Sequence, residues 1–183
     1  GNIDACRKLA AYRKNRVKPF FLWKLYFSEV FLRPNPGFDV VIANPPYVRQ
    51  ESIKEQKAYF KEHYRVYQGT ADLYVYFVER GVNLLAAGGE FAYILPNKWM
   101  RANYGKPLRA WLKERRIEEI VDFGDLPVFE SATTYPCILR IGAGSPRERF
   151  DAVQVETLDY PDLTEYVKAH SYQVDQTALD DGE

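Results

Sequence analysis

Cysteine is almost missing from this chain: Cys6 and Cys137 are the only two in 183 residues. Two thiols cannot make a disulfide framework, and neither has Cys or His neighbours at the spacing of a zinc site. Histidine is as scarce, and His63 and His170 both lie among charged residues, so they read as surface groups. No Ser/His/Asp set, metal-ligand pattern, phosphate loop or nuclease motif appears. No apolar run approaches the roughly 18 residues that span a bilayer. The first residues are polar and charged, unlike a signal peptide. The expectation is a reduced, cytoplasmic protein with no membrane partner and no metal. Glycine is also withheld from the first part of the chain, where only Gly1 and Gly37 precede residue 44.

What is present is enough for a core. Hydrophobic residues make up 46% of the chain and aromatics 15%, which suits a globular α/β domain of this length. The net charge of zero hides a segregation. Arg7, Lys8, Arg13, Lys14, Arg16, Lys18 and Lys24 stand without an acid among them. Lys98, Arg101, Lys106, Arg109, Lys113, Arg115 and Arg116 face Glu114 alone. From residue 151 onward the chain is acidic, with Lys168 its one basic Lys or Arg. Segregated basic stretches suit a polyanion, although solvated helix faces read the same way.

Periodicity gives the elements. A short helix is expected over 4–14, and an aromatic segment of unassigned class over 19–32. Pro34-Asn35-Pro36-Gly37 turns the chain into a strand at 38–43. Ser52 and Glu55 form a capping box that predicts a helix over 53–65. A second helix is expected over 71–86, with Leu73, Phe77, Leu84 and Leu85 on one stripe and a stop at Gly88-Gly89. Strands follow at 90–95, 117–123 and 135–141, with a helix at 106–115 between the first two. A last helix is expected at 161–169. Strand–helix–strand–helix–strand is a doubly wound pattern. The strand at 135–141 has no crossover helix before it and should pair antiparallel.

The most informative residues are Asn44-Pro45-Pro46-Tyr47, at the end of the apolar run 38–43. Two prolines stop a buried strand, because proline lacks the amide donor and fixes φ. The strand end then presents an amide, a stiff carbonyl and an aromatic ring. Asn44 Oδ1 and the Pro45 carbonyl can accept both hydrogens of an exocyclic amine while Tyr47 stacks on the ring that carries it. Held so, the nitrogen lone pair turns out of conjugation and becomes nucleophilic without a general base.

Asn-Pro-Pro-Tyr after Phe-Asp-Val-Val-Ile resembles the catalytic motif of S-adenosylmethionine-dependent amino-methyltransferases. The chain is most similar to gamma-class adenine-N6 DNA methyltransferases, especially type IIG restriction–modification methylases. The likeness runs from about Lys18 to Gly144, including Ala71-Asp72-Leu73-Tyr74, Gly88-Gly89 and Pro96-Asn97-Lys98-Trp99. It implies a Rossmann-like fold with a mostly parallel sheet and an antiparallel last strand. It implies S-adenosylmethionine as methyl donor, double-stranded DNA as partner, and a prokaryotic cytoplasm. Asn44, Pro45, Pro46 and Tyr47 take the catalytic positions, and Tyr47 and Phe129 the positions that stack on a flipped adenine. Asp72 is a weaker site candidate beside the tetrapeptide. Lys98 and Arg101 are candidates for DNA contact.

In this family a glycine-rich turn that receives the cofactor precedes the tetrapeptide, and here it is absent. Gly142-Ala143-Gly144 reads as a strand-end turn, because Ser145-Pro146-Arg147-Glu148-Arg149 is not a small-residue helix that could cradle a ligand. The resemblance therefore implies the C-terminal half of a methyltransferase domain. Of the cofactor site, only Asn44 would lie adjacent. The expected organisation is a connecting segment at 1–37, a partial catalytic domain at 38–144 and an acidic linker at 145–183. That linker would lead to a target-recognition region, and the fragment alone should be inactive. Two alternatives stay open: methylation of a protein glutamine or RNA guanine amine, and a non-catalytic DNA-binding or assembly segment.

Overall fold

Apolar residues from Phe38 to Ala43 form β1 with the boundaries the sequence predicts, in a computed structural model that describes residues 21–129 and 134–179. A 3-10 segment at Gln50–Gln56 and the helices α1 (Lys57–His63) and α2 (Leu73–Val82) follow. Then come β2 (Leu85–Pro96), α3 (Lys106–Lys113), β3 (Arg116–Asp122), β4 (Pro136–Gly142), β5 (Arg149–Gln154), α4 (Leu163–His170) and β6 (Tyr172–Asp175). The strands form one sheet in the order β1-β2-β4-β3-β5-β6. β1 is parallel to β2 and β3 to β5, while β4 runs antiparallel to both of its neighbours and β6 to β5. Four strands therefore point one way, and their carboxyl ends share one edge.

Two cores flank the sheet. In the larger, Phe91, Tyr93 and Leu95 of β2 and Leu139 and Ile141 of β4 meet Tyr74, Val75 and Val78 of α2 and Leu108, Trp111 and Leu112 of α3. In the smaller, Val121, Val153 and Val155 pack with Val167 of α4. Val41 and Ala43 lie against the larger core. By the period of two, Val40 and Ile42 face away from it, and they are 61% and 73% exposed. The chain divides into two compact units between Pro36 and Gly37. In the described part of the first, Trp23–Tyr26 and Ser28–Phe31 are single helical turns, with Phe21 stacked on Tyr26. The helix expected over 4–14 lies outside the described residues.

Several expectations are corrected. Ser52 caps no helix: its amide donates to the Arg49 carbonyl, 3-10 geometry holds to Gln56, and α1 starts only at Lys57. The helix expected over 71–86 ends at Val82, and the Leu84 carbonyl instead accepts from the Phe38 amide at 2.8 Å. Its buried stripe is Tyr74, Val75 and Val78, and Phe77 is 38% exposed. β2 is assigned from Leu85, but its register with β1 jumps from Leu85 opposite Phe38 to Glu90 opposite Val40. The regular ladder therefore begins where the sequence places the strand. The strand at 135–141 is antiparallel as expected, yet it sits inside the sheet rather than ending it. Within the segment expected as a linker, residues 149–175 are part of the fold, because β5 and β6 extend the same sheet. Phe150 and Ala152 face the larger core and Val153 the smaller, and this burial outweighs the acidic composition that masked the strand.

Two glycines are required by their surroundings. Gly37 has φ +117°, and a Cβ there would meet the Leu85 and Ala86 backbone below 3 Å. A Cβ on Gly105 would lie 2.0 Å from the Trp99 carbonyl oxygen. Gly105→Ala should therefore cost about 1–3 kcal/mol through overpacking, read as a lower denaturant midpoint. An unchanged midpoint would show that the 97–105 turn yields freely.

Candidate active site

The carboxyl ends of β1 and β2 hold the tetrapeptide. β1 pairs with β2 through Ala43 opposite Tyr93, and the prolines then end the ladder. Asn44 is exposed and Pro45 buried. Among the described residues, no donor reaches Asn44 Oδ1 or the Pro45 carbonyl. Both acceptors that the sequence singles out are therefore unbonded among the described residues. Pro46 is exposed and shapes the turn.

Tyr47 is half-buried and tied down. Its hydroxyl donates to the Ile94 carbonyl at 3.2 Å, and its ring meets Tyr74 edge-on, 6.5 Å between centroids. Burial, and secondarily the buried Cys137 thiol, pushes the phenol up to about 12. Beyond Tyr47 the loop is clamped to the start of α2. The Leu73 amide donates to the Val48 carbonyl at 2.9 Å, and the Gln50 amide donates to Asp72 Oδ1 at 3.0 Å. Asp72 is the N-cap residue of α2, but its carboxylate makes no bond within that helix. Burial raises its pKa, opposed by the Gln50 amide, Lys98 and Arg49. The tetrapeptide loop is thus held by polar tethers on both sides.

The ends of β2 and β3 bring together a second group. Asn97 Nδ2 donates to Asp122 Oδ1 at 2.8 Å, and the Gly124 amide donates to the same oxygen at 3.0 Å. Asn97, Lys98, Met100, Arg101, Ala102 and Asp122 line a cavity of about 350 Å³. Lys98 and Arg101 are exposed. Phe129 is half-buried in the loop between β3 and β4, which opens on this same edge.

The basic stretch at 98–116 does not act as one surface. Arg109 is 2% exposed and donates to the Trp99 and Ala102 carbonyls at 2.6 and 3.0 Å. Arg115 lies over the Trp111 ring, and Arg116 pairs with Glu118. Sequence reasoning missed the role of Arg109, although its position between Leu108 and Leu112 on the apolar stripe of α3 was the signal. Tyr104, whose hydroxyl meets that of Tyr74 at 2.9 Å, and Glu79, which accepts from the Arg65 and Val66 amides, carried no signal. Gly142-Ala143-Gly144 sits at the opposite edge from Asn44, because β4 runs antiparallel and Gly142 lies opposite Glu90 and Arg116. It is a strand-end turn. No group of three or more metal-ligating side chains occurs among the described residues.

An open α/β sheet with an inserted antiparallel strand is the S-adenosylmethionine-dependent methyltransferase fold of the solved structures on which this chain superposes. Solved structures agree on the fold. The methyltransferase subunit of a type I restriction–modification system from Streptococcus thermophilus superposes with TM-score 0.61 at 15% identity, over 80% of this chain and 36% of that one. The type IIG restriction endonuclease BpuSI gives 0.60 at 19% identity, over 77% and 19%. The chain belongs to the Eco57I restriction-modification methylase family, whose model matches residues 3–129. The type II methyltransferase M.PaeR7I of Pseudomonas aeruginosa is 39% identical over 127 residues, covering 66% of this chain and 22% of its own length. M.XhoI of Xanthomonas vasicola is 38% identical over 126 residues, covering 67% and 23%. The chain thus spans about a fifth of the length of these relatives.

Two outcomes follow from the tethers. Asp72→Ala should cost about 1–2 kcal/mol and speed amide exchange at Gln50, while Asp72→Asn, which keeps an acceptor, should do less. Equal exchange in both variants would refute the clamp. Tyr47 gains its proton affinity on folding, so its contribution is complete below pH 10 and is lost as pH rises through about 12. Stability of wild type should fall more steeply than that of Tyr47→Phe between those limits.

Proposed function

We propose that the protein carrying this chain is a site-specific DNA methyltransferase that acts on the N6 amine of adenine within a restriction–modification or related phage-defence system. The observation that carries the reading is the unbonded acceptor pair, Asn44 Oδ1 and the Pro45 carbonyl, at the edge where the parallel strands end. Membership in a restriction-modification methylase family supports DNA as the substrate.

Adenine N6 is paired inside a duplex, so the base must leave the stack before it can react. Asn44 and Pro45 then accept the two amine hydrogens and free the nitrogen lone pair. Tyr47, its orientation fixed by the bond to Ile94, stacks on one face of the base, and Phe129 closes on the base from the loop after β3. Asp72 keeps the loop in register through Gln50. S-adenosylmethionine, when bound, supplies the methyl group. The described residues do not fit its cradle, since the one Gly-x-Gly turn lies at the wrong edge of the sheet. We assign that cradle to a preceding half-domain covering the exposed face of Val40 and Ile42, and sequence recognition to a separate region.

Residues 1–183 alone should accordingly bind S-adenosylmethionine weakly or not at all and be inactive, and calorimetric titration checks this. Tight stoichiometric binding would refute the assignment. In the full-length protein, Asn44→Ala should abolish methylation while DNA affinity survives, and Asn44→Asp should be milder. Parallel loss of affinity and activity would argue against the amine-holding role. Tyr47→Ala and Phe129→Ala should each weaken capture of the base, by about 1–3 kcal/mol, and non-additively if they clamp one ring. Fluorescence of 2-aminopurine at the target position reports this directly. If neither variant changes it, and a peptide glutamine or RNA guanine is methylated instead, the adenine reading fails.

A further inference from the structure

The cavity at the ends of β2 and β3 is lined by none of the tetrapeptide residues. Its walls are rigid for reasons internal to the fold. Arg109, buried without a carboxylate, holds the Trp99 and Ala102 carbonyls. The Asn97 amide donates to the Tyr135 carbonyl at 2.7 Å, and its side chain is fixed on Asp122. Lys98 and Arg101 project from this frame, and neither makes an ion pair among the described residues. Asp122, the one acid in the lining, already accepts two hydrogen bonds on one oxygen, from Asn97 and Gly124.

We propose that Lys98 and Arg101, at the mouth of this cavity, seat one backbone phosphate of the target strand next to the extruded adenine. The proposal rests on the DNA reading and extends it to a defined subsite. The bonded turn fixes where both side chains start, and an arginine fork with an ammonium matches the oxygens of a phosphodiester. The seat holds the backbone beside the flipped nucleotide rather than reading a base, so it should contribute equally on every sequence. Arg109, often grouped with such cations by sequence, builds the seat and does not touch DNA.

The test uses the full-length protein and a duplex that it methylates. Each phosphate around the target adenine is replaced in turn by an uncharged methylphosphonate. Wild type should lose affinity at one or two adjacent positions. Lys98→Gln/Arg101→Gln should lose affinity on cognate and random duplexes alike, and its dependence of log K on log salt should flatten by about one, for the single phosphate contact removed. The methylphosphonate effect should vanish in the double variant, since the contact is already gone. A wild-type salt slope in the variant, or methylphosphonate losses that simply add to it, overturns the seat. Inorganic phosphate should displace the wild-type duplex more than chloride does at equal ionic strength, and should lose that advantage in the double variant; equal displacement by the two anions in wild type overturns the seat. Failure of wild type to bind or methylate any duplex would instead bring down the DNA reading itself.

Discussion

A parallel strand that must stop at one residue sets the geometry on which the rest of this site depends. Pro45 and Pro46 remove two amide donors and fix two φ angles immediately after Asn44, so the ladder with β2 cannot extend. The chain leaves the sheet with an amide and a carbonyl that nothing among the described residues consumes. The loop beyond is then recaptured within six residues by the Tyr47 hydroxyl on Ile94, by Val48 on Leu73 and by Gln50 on Asp72. Open acceptors beside satisfied neighbours are what a site needs to receive an amine without first giving up internal bonds.

Polar groups, more than apolar ones, do the local positioning. Glu79 is 4% exposed and spends both carboxylate oxygens on the Arg65 and Val66 amides. Arg109 spends its guanidinium on carbonyls of the 97–105 turn. Arg109 ties a loop at the active edge to α3, and Glu79 ties the segment before α2 to that helix at the other edge, where Arg65 also pairs with Glu114. The larger core provides the platform, but side-chain bonds to backbone decide where the loops lie. Buried charges of this kind tolerate replacement poorly, because the groups they satisfy would be left without partners.

Much of the architecture was legible in the chain because its cause is local. β1 ends where two prolines demand it, α3 follows its stripe of Leu108, Trp111 and Leu112, and α4 starts at Asp162, whose carboxylate accepts from the Glu165 amide. The failures came where another part of the molecule competed. Ser52 and Glu55 make a correct local capping signal, yet Asp72, twenty residues on, takes the Gln50 amide and the segment stays 3-10. The α2 stripe was displaced because Tyr74, rather than Phe77, fits against β2 and Tyr104. Acidic composition concealed β5 and β6, whose place is set by pairing with β3 and with each other.

By itself, then, the sequence determined the reactive chemistry: an asparagine, a stiff carbonyl and an aromatic ring at a strand end, a combination contained in four consecutive residues. Tertiary structure alone decided which cations are available, since Arg109, Arg115 and Arg116 look like Lys98 and Arg101 until burial and partners are known. It alone decided that Gly142-Ala143-Gly144 lies at the wrong edge, because strand direction follows from pairing between residues some fifty positions apart. Spacing along a chain reports what neighbours can do together, and only packing reports which distant groups have already been used.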